Sequence, residues 1–346
     1  MQVDYIIVGF GLAGMAMVKE LEDKGRSFVV INDSSQVSSR VAAGVFNPVI
    51  LKRFTPVWNA DEQLENLFPF YKDLSDKLGG SYLTFFETLK VFKTIKDQNN
   101  WFLACDKPLL EKHLEPKILK EKIKGIQHFE GFGKVKGTGR VLINKVLDDY
   151  TAYLKNKGLF LEIPFVHEDL KVDIESVVYN DITAKKIIFA EGYGIKKNPY
   201  FKDLPLGGTK GEMLFIKAPE LKLTQQIKSA LFVLPVGDDK YWVGATFNWA
   251  DKTTEATEKG KKELLEKLET MLEVPYEVIS QFGGIRPTVK DRRPLVGKHP
   301  IHQNIIIFNG LGTRGVMIAP TLAKKLYAHL ENEEPLPIEV NIERFN

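Results

Sequence analysis

Gly9-Phe10-Gly11-Leu12-Ala13-Gly14 has the G-x-G-x-x-G spacing and lies between an apolar run, residues 3–8, and a segment of helical periodicity, residues 12–24. In that setting the glycines allow a tight turn and a close backbone approach to a pyrophosphate, while the helix N-terminus offers unpaired N–H groups to phosphate. The spacing predicts a dinucleotide site, with a purely structural glycine turn as the alternative. About 20 residues further on, an acidic side chain is expected to grip the ribose hydroxyls. The strand end there reads Ile31-Asn32-Asp33-Ser34, with Asn32 at the usual position and Asp33 one beyond it. Either suits the ribose, and Asp33 also suits the cap of a local turn.

These groups need a scaffold. Residues 3–8 read as a buried strand, residues 12–24 as a helix with Ala13, Ala16, Met17 and Leu21 toward a sheet, and residues 28–31 as a second strand. Together they make a βαβ unit, expected to be parallel and right-handed. A polar loop containing Ser34, Ser35, Ser38 and Ser39 follows, then a helix at residues 61–78 with Leu64, Leu67, Phe68, Tyr71 and Leu74 on one stripe. β-Branched and aromatic residues at 81–95, 212–217, 231–236 and 241–247 predict a second, antiparallel sheet, with Gly237-Asp238-Asp239 as a hairpin turn. Helix 142–156 and strand 186–190 interrupt it and carry the buried character of the first unit. A helix at 257–272, a last strand pair near 277–283 and 304–308, and a final helix at 316–330 complete the reading. The fold class is α/β, with a Rossmann-like domain and an antiparallel-sheet domain between which the chain crosses several times.

The 346 residues carry 48 Lys+Arg against 45 Asp+Glu, a net charge of +3, so strong non-specific nucleic-acid affinity is not expected. The lysines at 117, 120, 122 and 124 and at 259, 261 and 262 are interspersed with acids and read as solvated faces, while Lys134, Lys136, Lys185 and Lys186 are the local candidates for phosphate contact. Cys105 is the sole cysteine, which excludes an intrachain disulfide and points to a reducing, cytoplasmic compartment. Neither a membrane span nor a signal segment is expected. Only His299 and His302 lie close together, without ligand-spaced partners, so no metal is predicted, and His302 reads as a turn residue rather than a base.

The second small-residue run, Ser38-Ser39-Arg40-Val41-Ala42-Ala43-Gly44-Val45-Phe46-Asn47-Pro48, resembles the second motif of the D-amino-acid oxidase and glycine oxidase superfamily of FAD enzymes. The resemblance extends through Ile187-Ile188-Phe189-Ala190-Glu191-Gly192, where Glu191 replaces the usual small or hydroxyl residue. It continues through Arg286-Pro287 with Asp291, Pro294 and Gly297, and through Asn309-Gly310-Leu311-Gly312-Thr313-Arg314-Gly315 before the last helix. Val243-Gly244-Ala245-Thr246-Phe247 and Ala319-Pro320 further resemble the C-terminal oxidoreductase domain of the bifunctional tRNA 5-methylaminomethyl-2-thiouridine enzyme.

The superfamily resemblance implies non-covalent FAD, Cys105 being remote from the glycine motifs. The expected cofactor contacts are Gly9, Gly11, Leu12, Ala13, Gly14, Asn32, Asp33, Arg40, Ala42, Ala43, Gly44, Val166, Gly192, Gly312, Thr313, Arg314 and Gly315. It also implies that Arg286, in Gly283-Gly284-Ile285-Arg286-Pro287-Thr288, binds the substrate carboxylate, a task its planar fork suits, with a structural ion pair to Asp291 as the alternative role. Thr313 and Arg314 would act beside it, at a helix end suited to the negative charge of reduced flavin. Residues 1–55, 137–208 and 281–346 would form the FAD-binding domain, and residues 56–136 and 209–280 the substrate domain. The implied reaction is oxidation of the C–N bond of an N-substituted glycine or related amino acid, by hydride transfer to flavin N5 and hydrolysis of the imine. The alternatives are the carboxymethylaminomethyl group of a tRNA wobble uridine, a nicotinamide dehydrogenase and a non-catalytic flavoprotein scaffold.

Overall fold

The computed structural model describes every residue except Ser34 and Asn346, so Ser34's place in the polar loop lies outside the described residues. Two eight-stranded sheets organise the chain. In the first, the strands Phe160–Leu161, Phe28–Ile31, Gln2–Val8 and Ile182–Phe189 lie side by side in parallel. The end of Ile182–Phe189 pairs in parallel with Ile305–Asn309, while its beginning pairs antiparallel with Val177–Tyr179. The βαβ unit is therefore present as expected, with helix α1 (Leu12–Asp23) as its crossover.

Continuous apolar runs suit strands buried on both faces. On one face Tyr5, Ile7 and Val30 pack against α1 and helices α2 (Ala60–Leu78), α4 (Ile143–Asn156) and α6 (Gly315–Asn332). On the other, Ile6, Val8, Ile187 and Ile307 join Leu206 and Val289. The stripe of Leu64, Leu67, Tyr71 and Leu74 on α2 belongs to the first of these cores, so α2 lies with the first sheet although it falls within residues 56–136.

The second sheet runs Glu277–Arg286, Thr209–Lys217, Lys240–Gly244, Phe232–Gly237, Gln226–Lys228, Thr88–Phe92, Gly131–Val135 and Leu114–Leu119. Its pairs are antiparallel except the parallel contact of Gln226–Lys228 with Thr88–Phe92. Asp238 and Asp239 both take positive φ, 51° and 55°, as a tight hairpin turn requires. Helix α5 (Glu258–Glu269) covers one face through Leu264 and Leu268. The opposite face carries Met213, Phe232 and Leu234 and looks toward Ala43 of the second small-residue run.

Three expectations need correction. Strands Glu277–Arg286 and Ile305–Asn309 do not pair: the first joins the second sheet and the second joins the first. The run expected to be extended up to residue 95 stops at Phe92, and helix α3 (Ile95–Cys105) follows, started by a capping box between Thr94 and Asp97. Leu114–Leu119, Gly131–Val135 and Leu295–Lys298 are strands whose lysines and glycines had masked their alternation.

Buried Glu212 ties the second sheet to the loop before α5. It accepts hydrogen bonds from the Thr257 amide (2.7 Å), the Thr257 hydroxyl (2.8 Å) and the Gln281 amide (2.7 Å). Its backbone exchanges two more with Thr246. Glu212→Ala leaves those donors without an acceptor and is expected to cost about 3 kcal/mol; urea unfolding at neutral pH measures it.

Candidate active site

The first-sheet strands end at a cavity of about 570 Å³ that continues to the inner face of the second sheet. Gly9 turns the chain from strand to helix at φ 94°, where a Cβ would stand 2.6 Å from the Ala190 carbonyl oxygen. A Cβ on Gly14 would stand 2.0 Å from the Gly9 oxygen, so only glycine lets α1 start this close to the strand ends. The Ser39 hydroxyl accepts from the Leu12 amide at 3.2 Å, and the first turn of α1 has no acidic residue. Its remaining positive end faces the cavity.

Asn32 and Asp33 both line this end. The Asn32 side chain accepts from the Phe10 amide at 3.0 Å, and Asp33 accepts from the Ser35 amide at 3.0 Å, the local turn that its residue type allowed. Ala42, Ala43 and Gly44 line the cavity from the second small-residue run. Gly44, at φ 74°, is pressed against the Val141 carbonyl, 2.1 Å from an added Cβ. Gly192 lines it as well, its carbonyl held by the Asn309 side chain at 2.9 Å. Glu191 carries its carboxylate to His167 Nε2 (2.9 Å) and Asn198 Nδ2 (2.8 Å), which accommodates its departure from a small residue.

At the far end, Gly312, Thr313 and Gly315 line the cavity where α6 begins. Neither a capping side chain nor an acidic first-turn residue neutralises that helix end. Arg286 enters from the last strand of the second sheet. Its Nη1 donates to the Thr246 carbonyl at 3.3 Å and its guanidinium lies 4.6 Å from the Phe247 ring centroid. Among the described residues no carboxylate pairs with it; Asp291 is bound instead by Arg344 at 2.9 Å and by the Arg293 amide. Burial pushes the guanidinium down to about 10, which leaves it charged at neutral pH. Gly211 makes room for it, since a Cβ there would lie 2.0 Å from Nη2.

Several expected contacts lie elsewhere. Gly14 is spent on helix packing and does not line the cavity. Arg40 lines a smaller adjoining cavity and pairs with Asp148 at 2.6 Å. Val166 is outside the lining, its amide donating to Tyr179 Oη, while its neighbours Phe165 and His167 face in. Arg314 turns away from the cavity and donates to the Asn47 carbonyl at 2.9 Å, locking the start of α6 to the second small-residue run. Lys134, Lys136, Lys185 and Lys186 are paired with Glu87, Glu115, Asp4 and Glu331. His302 stacks on His299, away from the cavity. Met213, Phe232, Phe247 and Lys228 also line it. Their strands alternate, but nothing in their spacing told which face would meet the glycine loops.

A family model described as FAD dependent oxidoreductase matches residues 4–329. The chain belongs to that family. Glycine oxidase of Bacillus subtilis is 26% identical over 161 residues, 44% of this chain and 43% of that enzyme. The tRNA 5-methylaminomethyl-2-thiouridine biosynthesis bifunctional protein MnmC of Azoarcus is 28% identical over 173 residues, 44% of this chain and 27% of that protein. The matched stretches thus span less than half of these relatives. In fold, the chain superposes on glycine oxidase from Bacillus cereus with a TM-score of 0.79 at 18% identity, covering 96% of each chain. Iminodiacetate oxidase from Chelativorans gives 0.80 at 18% identity, covering 97% of each. The expected superfamily and the Rossmann-like fold both hold, and the protein is an FAD-dependent oxidoreductase. No helix among the described residues is long and apolar enough to cross a membrane.

The glycine-lined end of the cavity fits FAD: Gly9, Gly11 and Gly44 present backbone there in packing too tight for a Cβ, and two helix N-termini without acidic side chains open onto it. Gly11→Val drives a branched side chain against the Ser39 hydroxyl, 2.9 Å from an added Cβ, and disturbs the turn and loop that border the pyrophosphate end; the purified variant is expected to be colourless, as absorbance at the flavin bands checks. Gly211→Ala displaces the Arg286 guanidinium without touching that end of the cavity. It should keep the flavin and weaken binding of a simple carboxylate roughly tenfold, as read by flavin difference spectra.

Proposed function

We propose that the protein oxidises the C–N bond of an N-substituted glycine or related amino acid, with non-covalent FAD as the hydride acceptor. The observation that carries the reading is Arg286: a charged guanidinium, largely withdrawn from water, faces the cavity and no carboxylate among the described residues pairs with it. Such a group is costly to bury unless a ligand supplies the counter-charge. FAD, when bound, supplies the two-electron acceptor; the chain binds, orients and shields.

Gly9, Gly11, Leu12 and Ala13 would hold the pyrophosphate, with Asn32 and Asp33 at the ribose. Ala42, Ala43 and Gly44 would run along the cofactor. Thr313 and Gly315 would give backbone N–H groups to the pyrimidine edge, where the positive start of α6 favours negative charge, while Gly312 borders it with its amide donated to the Pro287 carbonyl at 3.1 Å. Arg286 would grip the substrate carboxylate as a fork, held flat by Phe247 below and the Thr246 carbonyl beside it. That fixes the substrate by one end and limits how its C–H bond can be presented. Substrate binding as the neutral amine needs no general base, and the imine product hydrolyses to a carbonyl compound and a smaller amine.

Non-covalent attachment is supported by Cys105, which is buried against Trp101 and Leu110, outside the cavity lining. Residues 1–55, 137–208 and 281–346, joined by α2, would form the cofactor domain, and the rest of 56–136 with 209–280 the substrate domain. A second reading is oxidation of the carboxymethylaminomethyl group on a tRNA wobble uridine. Phe247 and Trp249, 64% and 55% exposed, favour it as surfaces on which a base can stack. The in-chain pairing of Lys134, Lys136, Lys185 and Lys186 removes the phosphate contacts it would draw on.

Anaerobic mixing with sarcosine, glycine, D-amino acids and carboxymethylaminomethyl-tRNA, followed by flavin bleaching and a glyoxylate assay, separates these readings. Bleaching by a small N-substituted glycine is expected; bleaching by tRNA alone reverses the order, and bleaching by none removes the reading. Arg286→Lys should retain flavin and lose activity on carboxylate substrates on the order of a hundredfold, because a point charge does not reproduce the fork.

A further inference from the structure

Besides Arg286 and the exposed Lys197, Lys228 lines the same cavity, and among the described residues it has no counter-ion. It ends the short strand Gln226–Lys228, whose Ile227 faces the α5 side of the sheet. Register places Lys228 beside Lys90 on one neighbouring strand and beside Phe232 on the other. The row continues across the sheet from Phe232 to Gly244 to Met213. Lys228, Phe232 and Met213 all line the cavity, so the row faces the space that Arg286 also enters.

Two lysines side by side on neighbouring strands repel, and neither gains an ion pair or hydrogen bond among the described residues. The nearest compensation is the Phe232 ring, whose centroid lies 6.0 Å from Lys228 Nζ, at the outer limit of a cation–π contact. Burial first, and Lys90 second, push the Lys228 ammonium down to about 8; Lys90 is lowered by burial as well, against the pull of Asp97. The carboxylates that line the cavity, Asp33 and Glu191, stand beyond the first-sheet strand ends, and Glu191 is already held by His167 and Asn198. A surface lysine swings into water to escape such a position. Lys228 instead ends a strand inside the cleft, with Lys90 raising the potential behind it.

We propose that Lys228, backed by Lys90, forms a second anion subsite, so that the substrate carries one anionic group at Arg286 and another, carboxylate or phosphate, at Lys228. The inference rests on the reading of Arg286 as the carboxylate anchor and narrows the substrate class to doubly anionic amines. A monoanion such as glycine fills only half of this charge and is the poorer ligand.

The test is equilibrium binding, independent of turnover. Flavin-loaded protein is titrated calorimetrically with linear dicarboxylates from succinate to adipate, with the monomethyl ester of each, and with ω-phosphonocarboxylates of equal length. At one chain length the dianion is expected to bind at least roughly tenfold tighter than its half ester. Lys228→Met should abolish that preference while leaving half-ester binding unchanged, and Lys228→Arg should restore it. Arg286→Lys should weaken all the ligands. Tighter binding of the phosphonate identifies a phosphate-bearing substrate; tighter binding of the dicarboxylate identifies a second carboxylate. Equal binding of diacid and half ester at every length, equal weakening of both by Lys228→Met, or no binding of either overturns the subsite. A dianion preference in a protein whose flavin no N-substituted glycine reduces leaves the subsite standing and fails the proposed oxidation instead.

Discussion

The close approach of α1 to the strand ends sets the geometry of everything around it. At Gly9, Gly14 and Ala190 three backbone segments come within distances that a single Cβ would violate. Their contact brings the positive helix end flush with the carboxyl ends of Gln2–Val8 and Ile182–Phe189, the place where open parallel sheets bind ligands. The cost is conformational freedom given up at two glycines; the return is a concave backbone surface that no side chain could line as closely. The loop from Ser38 to Gly44 then lies over that surface, fastened by Ser39 to α1 and by Gly44 against Val141.

The second sheet contributes the complementary wall, and its two faces divide the labour. Leu214, Ile216 and Ile227 bury themselves with α5, which makes the sheet rigid from behind. Glycines at 211, 244 and 284 thin the opposite face at the points where Arg286, Met213 and Val41 need space. Glu212, alternating with Gly211 and Met213 on the same strand, draws the Thr246–Thr257 segment onto the sheet and so sets the Thr246 carbonyl on which Arg286 rests. A buried acid far from any reacting atom thereby helps to aim the guanidinium.

Charge inside the cleft follows from the same division. The first sheet brings helix ends and backbone N–H groups, partial positive charge spread along the cavity. The second sheet brings whole charges, Arg286 and Lys228, which no acid pairs among the described residues, while Asp33, Glu191 and the exposed Lys197 border the cavity from the first-sheet side. Arg314, equally buried, gives its charge to a backbone carbonyl and works as a clamp between α6 and the Asn47 turn. Similar residue types thus serve recognition in one case and architecture in the other, according to which acceptor lies within reach.

Local chemistry made the glycine turn, its strand and its helix readable from the chain, because a G-x-G-x-x-G between those periodicities has few other uses. The second small-residue run, the arginine of the Gly283–Thr288 segment and the glycine loop before α6 were legible through their resemblance to the D-amino-acid oxidase and glycine oxidase superfamily, because each motif is a short run of defined residue types. Which side chains face one another across the cleft was decided only by tertiary structure. Val166 and Arg314 lie outside the cavity lining, while His167, Gly211 and Lys228 border it or make room within it, since placement depends on strand register and, for Arg314, on the Asn47 carbonyl 267 residues away. Helix α3 and the strand Leu114–Leu119 escaped the periodicity because the polar run Lys96–Asn100 and the Glu115-Pro116-Lys117 segment interrupt their patterns, and strands Glu277–Arg286 and Ile305–Asn309 were assigned to different sheets by their pairing with Thr209–Lys217 and Ile182–Phe189. Short-range sequence specifies what a backbone turn can hold, but only the long-range pairing of strands determines which charges are left facing the cavity unpaired.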